Sequence, residues 1–278
     1  MDISSVGFYK VRMKYNPNAL KLMMKDYLSM IYENDDASLV KLSGYIVTAI
    51  DGSNFILPST GENTEKYGVH DREGAEGPVM GQLSLVYDCI NKLAIDTCIG
   101  EYKHSERAFT AQHLHELKET LRQPTITTFD RDYFSIRLVD QMMDDGKKFV
   151  MRMASRNLKR YSNQLDSAQD KTFDMIFNRI QTNPYREDRA FRTKLMSITY
   201  PLRFVKIPLI KPETGEAYDE VLLTNLWPEE FSLAELKELY RLRWEIETVY
   251  NVLKNQMKLE EFRGVREQLI LQEIYCYV

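Results

Sequence analysis

SLAELKELYRLRWEIETVYNVLKNQ, residues 232–256, contains neither glycine nor proline and is dense in strong helix formers. Ser232, followed three residues later by Glu235, makes a capping box that satisfies amide donors of a first helical turn. The stretch therefore predicts one helix over 232–256. At about 100° per residue, Leu242, Ile246, Val249, Val252 and Leu253 gather in an apolar stripe suited to a core. Tyr240, Arg243, Glu247 and Lys254 gather in a separate wedge roughly 60° wide. On periodicity alone this wedge is a solvated face. Its Arg243–Glu247 pair at i,i+4 stabilises a helix by only about 0.2–0.5 kcal/mol. A sharper reading depends on what the rest of the chain supplies.

The chain has 278 residues, of which 44% are hydrophobic, enough for one elaborated domain or two. No apolar run reaches the ~18 residues of a membrane span, and the N-terminus has no signal-peptide pattern. Cys89, Cys98 and Cys276 are odd in number and form no CxxC pair, which suits a reduced intracellular protein. His113 and His115 lie two apart, do not share a helix face and read as surface positions. No HExxH motif or Cys/His cluster accompanies them in sequence, so structural zinc is not expected. The net charge is −4, yet 15 of the 37 basic and 5 of the 41 acidic residues fall between Lys147 and Lys211. A local excess of ten positive charges in an otherwise acidic chain suits contact with nucleic-acid phosphates, within which Arg186, Arg189 and Arg192 form a cluster.

Outward from the helix, the pattern predicts further elements. Asn18–Tyr32 reads as an amphipathic helix before a polar break at Glu33–Ser38, and residues 1–17 show no periodicity. Gly44–Ile50 is a β-branched run read as a buried strand ending at Asp51. Asp51-Gly52 is by itself a hairpin-turn signal, and in the functional reading a carboxylate at a strand end. Pro58–Pro78 reads as a polar loop. Gln82–Ile90 and Leu93–Ile99 read as a hairpin in which Asp88 and Asp96 face solvent, although both are rival candidates for a catalytic pair. Thr110–Arg122 is helical and ends before Pro124; Thr125–Phe129 is a strand with Asp130 at its end. Tyr133–Asp145 is helical and Lys148–Met153 a strand. Beyond Ala154 the reading gives a helical patch at Lys171–Ile180. Strand-like runs follow at Leu195–Tyr200, Leu202–Ile210 and Glu220–Leu226, punctuated by Pro201, Pro208 and Pro212 and therefore read as edge strands.

The order strand, two hairpin strands, helix, strand, helix, strand is similar to that of a ribonuclease-H-like core. The expected fold is α/β: a mixed sheet flanked by helices, with a mainly β insertion before the last catalytic helix. The expected division is a helical segment at 1–43, the first part of the core at 44–153, a basic β-rich insertion at 154–226, and the remainder of the core at 227–278.

With these elements in place, the spacing Tyr240, Arg243, Glu247, Lys254 resembles the signature of the YREK-type DDE transposases of bacterial insertion sequences. I-D-G-S at 50–53 is similar to that family's first-aspartate motif, with Ser53 where Thr is commoner. T-F-D-R-D-Y at 128–133 is similar to its second, with Asp132 in place of glycine; alignment through Arg131 and Tyr133 selects Asp130. The resemblance runs in order from Gly44 to Arg263. It implies that Asp51, Asp130 and Glu247 are catalytic and bind two Mg²⁺ or Mn²⁺ ions. Three carboxylates without soft ligands suit those cations, and an ion pair at such a site activates a water or a 3′-hydroxyl. It implies that Tyr240, Arg243 and Lys254 hold phosphates, and that Trp227 or Trp244 stacks on an unpaired base. The implied activity is cleavage and strand transfer at insertion-sequence ends. The implied partners are double-stranded DNA and, when ends are paired, a second protomer, in the bacterial cytoplasm at the nucleoid. Relatives are expected to extend further at both ends, in segments that recognise and pair transposon ends. Two rival readings are a metal-dependent nuclease or resolvase on the same core, and a non-catalytic DNA-binding relic.

Overall fold

Ile46 to Ile50 are all buried, which requires cover on both faces of the strand they form. The computed structural model describes residues 4–33, 38–72, 75–103, 106–211 and 213–278. Pro212 and most of the polar break at Glu33–Ser38 lie outside them. In chain order the first elements are α1 (Ser5–Arg12), α2 (Asn18–Glu33), β1 (Ile46–Ile56), α3 (Gly61–Tyr67), β2 (Val69–Arg72), β3 (Ala75–Asp88), β4 (Leu93–Glu101) and α4 (Glu106–Thr120). Next come β5 (Thr125–Phe129), α5 (Ile136–Asp144), β6 (Lys148–Arg152), α6 (Lys159–Ser162), β7 (Asp170–Met175), α7 (Arg189–Ser197), β8 (Tyr200–Ile210), β9 (Ala217–Thr224) and α8 (Leu233–Arg241). The chain closes with α9 (Trp244–Asn251), a π-helical turn at Val252–Gln256, and α10 (Glu267–Tyr277). The fold is a mixed α/β arrangement with helices flanking its sheet, as expected. Two compact units are distinguishable: Met1–Pro124 with Trp244–Val278, and Thr125–Arg243.

In the first unit β3 pairs antiparallel with both β1 and β4, and β2 pairs with the first part of β3. β1 does not end at Asp51. Asp51 pairs with Leu85 and Gly52 with Ser84, and the ladder continues to Ile56 opposite Met80. A long partner strand absorbs the Asp-Gly dipeptide, so its turn preference is overridden by the ladder. The stretch read as a loop, Pro58–Pro78, holds α3, β2 and the start of β3. Thr60 caps α3, its hydroxyl accepting from Asn63 N at 3.2 Å. The β3–β4 turn is built by Asp88, whose Oδ1 accepts from Ile90 N at 3.1 Å and Asn91 N at 3.0 Å. Its other oxygen accepts from the Tyr32 hydroxyl at 2.8 Å. Asp88 and Asp96 are therefore buried and not solvent-facing. α4 and α9 both pack on β1. Phe109, His113, Leu114 and Leu117 of α4 are buried, so His113 is a core residue and only His115 of the pair is exposed.

In the second unit β5 and β6 run parallel, joined through α5, and β9, β8 and β7 follow by antiparallel pairing. The β-rich stretch thus extends the sheet that β5 and β6 begin. Two readings reverse here: Asp170–Met175 is a strand that overlaps the start of the patch read as helical, and Leu195 lies in helix α7. Asp188 accepts from Phe191 N at 3.1 Å and so caps α7, a local signal stronger than the β-branched run that follows it. β8 is internal, not an edge strand. Its prolines nevertheless fall where it has one partner: β7 covers Tyr200–Val205 and β9 covers Arg203–Ile210. Pro201 and Pro208 lie outside the shared span, so neither removes a donor that two neighbours need.

The expected single helix over 232–256 is broken. The capping box forms as read, with Glu235 N donating to Ser232 Oγ and Ser232 N to Glu235 Oε2. Leu242 and Arg243 then close a tighter turn, their amides bonding Leu239 O and Tyr240 O. The second break is the π-helical turn, closed by Met257 N donating to Val252 O. The angular wedge expected of an unbroken helix therefore does not hold. Tyr240 and Arg243 are buried while Glu247 is exposed.

Candidate active site

The first unit carries Asp51, Glu247 and Lys254. Asp51 lies within β1, and its carbonyl accepts from the Tyr250 hydroxyl at 2.7 Å and from Ser84 Oγ at 3.2 Å. Tyr250 is three residues after Glu247 on α9, so this bond ties the helix bearing Glu247 to the strand bearing Asp51. Lys254, in the π-helical turn, donates to Ser53 Oγ at 2.7 Å and to Asn54 O at 2.5 Å. Partial burial pushes its ammonium pKa down, opposed by Glu260.

Behind Asp51 lies a buried polar chain that the sequence reading did not anticipate. Ser84 Oγ is 2.9 Å from His113 Nε2, and His113 Nδ1 is 2.7 Å from Asp96 Oδ2. Lys21 Nζ lies 2.7 Å from the other Asp96 oxygen. Burial would raise the Asp96 pKa, but His113 and Lys21 outweigh it and hold the carboxyl at about 2. Cys98 Sγ is 3.8 Å from His113 Nδ1, and burial together with Asp96 pushes its thiol up to about 12. Asp96, Cys98 and His113 are close enough to hold an ion. Their shortest separation is a hydrogen bond, the thiol stays protonated and a lysine occupies the second Asp96 oxygen. The donor set fits a hydrogen-bonded knot better than a metal centre.

The second unit carries Asp130, directly after β5 and opening the short turn Arg131–Tyr133. Asp130 Oδ1 is shielded from solvent and makes no hydrogen bond; Arg152 Nη1 stands 3.5 Å away. Arg152 Nε lies 2.9 Å from Glu220 Oε1, across from β6 on β9. Burial pushes the Glu220 pKa up, Arg152 and Arg243 push it down, and Asp130 pushes it up again. Asp132 is exposed and lies 3.9 Å from Arg131. A cleft of about 420 Å³ opens here, lined by Arg131, Arg152, Arg156, Tyr218 and Glu220 among others. Beyond Asp130 itself, the sequence signal for this cluster is a charged residue at the end of a strand, as Arg152 is on β6.

Tyr240 donates to Phe129 O at 3.3 Å, and burial raises its pKa. The Arg243 guanidinium stands 5.8 Å from its ring. Tyr240 therefore braces the end of β5, and the two buried residues do not present an open row. Arg186 and Arg189 are exposed, but Arg192 is half-buried, donating to Thr182 Oγ1 and Arg179 O. Much of the basic block is likewise engaged within the unit. Arg203 is buried against Asp170 and Phe231 O, and Lys194 reaches Asp140 and Asp144. Trp227 is half-buried, whereas Trp244 is 62% exposed. Among the described residues no helix is long and apolar enough to cross a membrane.

A family model described as a transposase DDE domain matches residues 42–276. The chain is 21% identical over 295 residues to the transposase for insertion sequence element IS231F of Bacillus thuringiensis subsp. israelensis. That alignment covers 91% of this chain and 60% of the relative, so the chain spans about three-fifths of its length. The piggyBac transposase synaptic complex with hairpin DNA, solved by cryo-EM, aligns over 84% of this chain and 47% of that one. At 11% identity and a TM-score of 0.43, that likeness carries no argument.

Proposed function

The chain belongs to the transposase DDE-domain family, and on that premise we propose that it is the catalytic core of an insertion-sequence transposase. It cleaves DNA strands at the element's ends and joins them to a target. Asp51, Asp130 and Glu247 are the carboxylates that hold divalent cations, Mg²⁺ or Mn²⁺, as a pair of ions. The observation that carries this reading is Asp130 Oδ1, a carboxylate oxygen sealed from solvent and without a hydrogen bond. Arg152, at 3.5 Å, pairs with this oxygen only loosely, and a hard cation is a partner its chemistry suits. When bound, the ions would lower the pKa of a water or 3′-hydroxyl and stabilise the leaving oxygen at phosphorus.

The remaining work falls to side chains. Arg131 and Arg156 line a cleft beside Asp130 and offer planar forks to phosphate oxygens. Lys254 lies against β1 beyond Asp51, where its ammonium can serve a phosphate as a point charge. Tyr250 and Ser84 hold the Asp51 carbonyl and so fix that stretch of strand. Tyr240 acts from within, keeping Phe129 and hence Asp130 in place, with Arg243 beside its ring. Trp244 is the better candidate to stack on an unpaired base, because its ring is open to solvent. Double-stranded DNA is the partner, with two protomers engaged when two ends are paired.

The test is strand transfer. The protein is mixed with Mg²⁺, target DNA and inverted-repeat DNA pre-cut to expose a 3′-hydroxyl. Joined products support the proposal. Cleavage without joining would mean a nuclease or resolvase on the same core, and no metal-dependent product of either kind would mean a DNA-binding relic.

A further inference from the structure

Arg152 stands between two carboxylates of the second unit and is shared unequally between them. Its Nε lies 2.9 Å from Glu220 Oε1, whereas its Nη1 reaches Asp130 Oδ1 only at 3.5 Å. The Glu220 side chain is 11% exposed and Asp130 28%, so the shorter contact is also the more sheltered one. A cation beside a carboxylate competes with any other cation for it, and a carboxylate that grips the guanidinium elsewhere weakens that competition. We propose that Arg152 is the counterion of Asp130 before metal binds, and that Glu220 is the holder that keeps Arg152 from closing onto it. Both are positioning residues, because they act on the reaction through Asp130. When Asp130 is taken by a divalent cation, Glu220 retains Arg152 at the wall of the cleft it shares with Arg131 and Arg156. The guanidinium is then available to a phosphate there. This rests on the reading of Asp130 as a metal ligand.

The arrangement predicts effects of opposite sign from the two halves of one ion pair. A purely structural ion pair predicts the same sign from both. Mn²⁺ binding to the full 278-residue chain, without DNA, is followed by the electron paramagnetic resonance of free Mn²⁺. Arg152→Gln removes the competing charge and should tighten binding about three- to tenfold. Glu220→Gln frees Arg152 to close on Asp130 and should weaken binding by about the same factor. In the Arg152→Gln background, Glu220→Gln should have no further effect, because the residue it restrains is gone. Unchanged or weaker binding in Arg152→Gln would overturn the proposal. Should that variant fail to fold, Glu220→Gln decides alone, and unchanged binding there overturns it. Asp130→Asn separates the two layers of the argument. If it leaves Mn²⁺ binding intact, the metal-ligand reading itself falls, and this proposal with it. If it weakens binding while Arg152→Gln and Glu220→Gln do nothing, the ligand reading stands and only the counterion role is lost.

Discussion

Asp51 and Asp130 belong to different units, and each has its own set of neighbours. Two neutral hydroxyls bond the Asp51 carbonyl, and the polar chain of His113, Asp96 and Lys21 stands a step further back. Asp130 is surrounded by charge, with Arg152 at 3.5 Å and Glu220 beyond it. Neutral hydrogen bonds fix geometry with little effect on a neighbouring cation's affinity. An adjacent guanidinium sets that affinity directly. Hydroxyls thus hold the backbone at Asp51, and a guanidinium stands beside the carboxylate of Asp130.

The strongest test of this contrast removes the carboxylates themselves. Asp51→Ala, Asp130→Ala and Glu247→Ala each delete a ligand from a site whose cations supply several kcal/mol, so Mg²⁺-dependent cleavage should fall about a thousandfold or more. Asp132→Ala should keep most of its activity. The reverse pattern between Asp130 and Asp132, read in a single-turnover cleavage assay, would show that the wrong aspartate has been assigned.

Next in size is the buried knot behind Asp51. His113→Ala leaves Asp96 and Ser84 short of partners inside the first unit and should cost about 2–4 kcal/mol in urea denaturation. If His113 were a surface residue, as its spacing suggested, the loss would be within about 0.5 kcal/mol.

The pH dependence follows from the same knot. Asp96 is held at about 2 from an ordinary 3.8, so its folded pKa is depressed. Its contribution is complete above the unfolded value and is lost as pH falls from about 4 to about 2, amounting to roughly 2 kcal/mol. Asp96→Asn should flatten the acid limb of the stability curve in that window. An unchanged acid limb would mean that Lys21 and His113 do not stabilise the carboxylate.

The smallest expected effect lies on the basic flank. Replacing exposed Arg186 and Arg189 with alanine should reduce the salt dependence of DNA binding by about 0.9 log unit per log unit of salt for each phosphate that is no longer neutralised. Arg192→Ala should mainly cost stability, since its guanidinium is engaged with Thr182 and Arg179. An equal drop in slope from all three would mean that Arg192 leaves those partners on DNA.

Much of this was legible in the residues because local signals agreed with tertiary context. The Ser232–Glu235 cap, β5 with Asp130 at its end, and the β3–β4 hairpin all formed where their patterns placed them. The failures share a cause. Asp-Gly at 51–52 prefers a turn, but a fourteen-residue β3 gave it a ladder to join. The helix over 232–256 has no breaker in sequence, yet tight turns at 242–243 and a π turn at 252–256 interrupt it. Buried polar residues were the other blind spot: Asp88, Asp96, His113 and Arg203 look like surface residues until their partners, tens of positions away, are known. Glu220 had no local signal at all, because what makes it notable is Arg152, 68 positions away in sequence.

The most direct test of the central claim needs no DNA. Fe²⁺ substituted for Mg²⁺, with ascorbate and peroxide, generates hydroxyl radicals at the metal and cuts the backbone next to it. The account predicts cuts near residues 51, 130 and 247, suppressed by excess Mg²⁺. Cuts confined to the region of Asp96, Cys98 and His113, or no Mg²⁺-sensitive cutting near the three carboxylates, would contradict it.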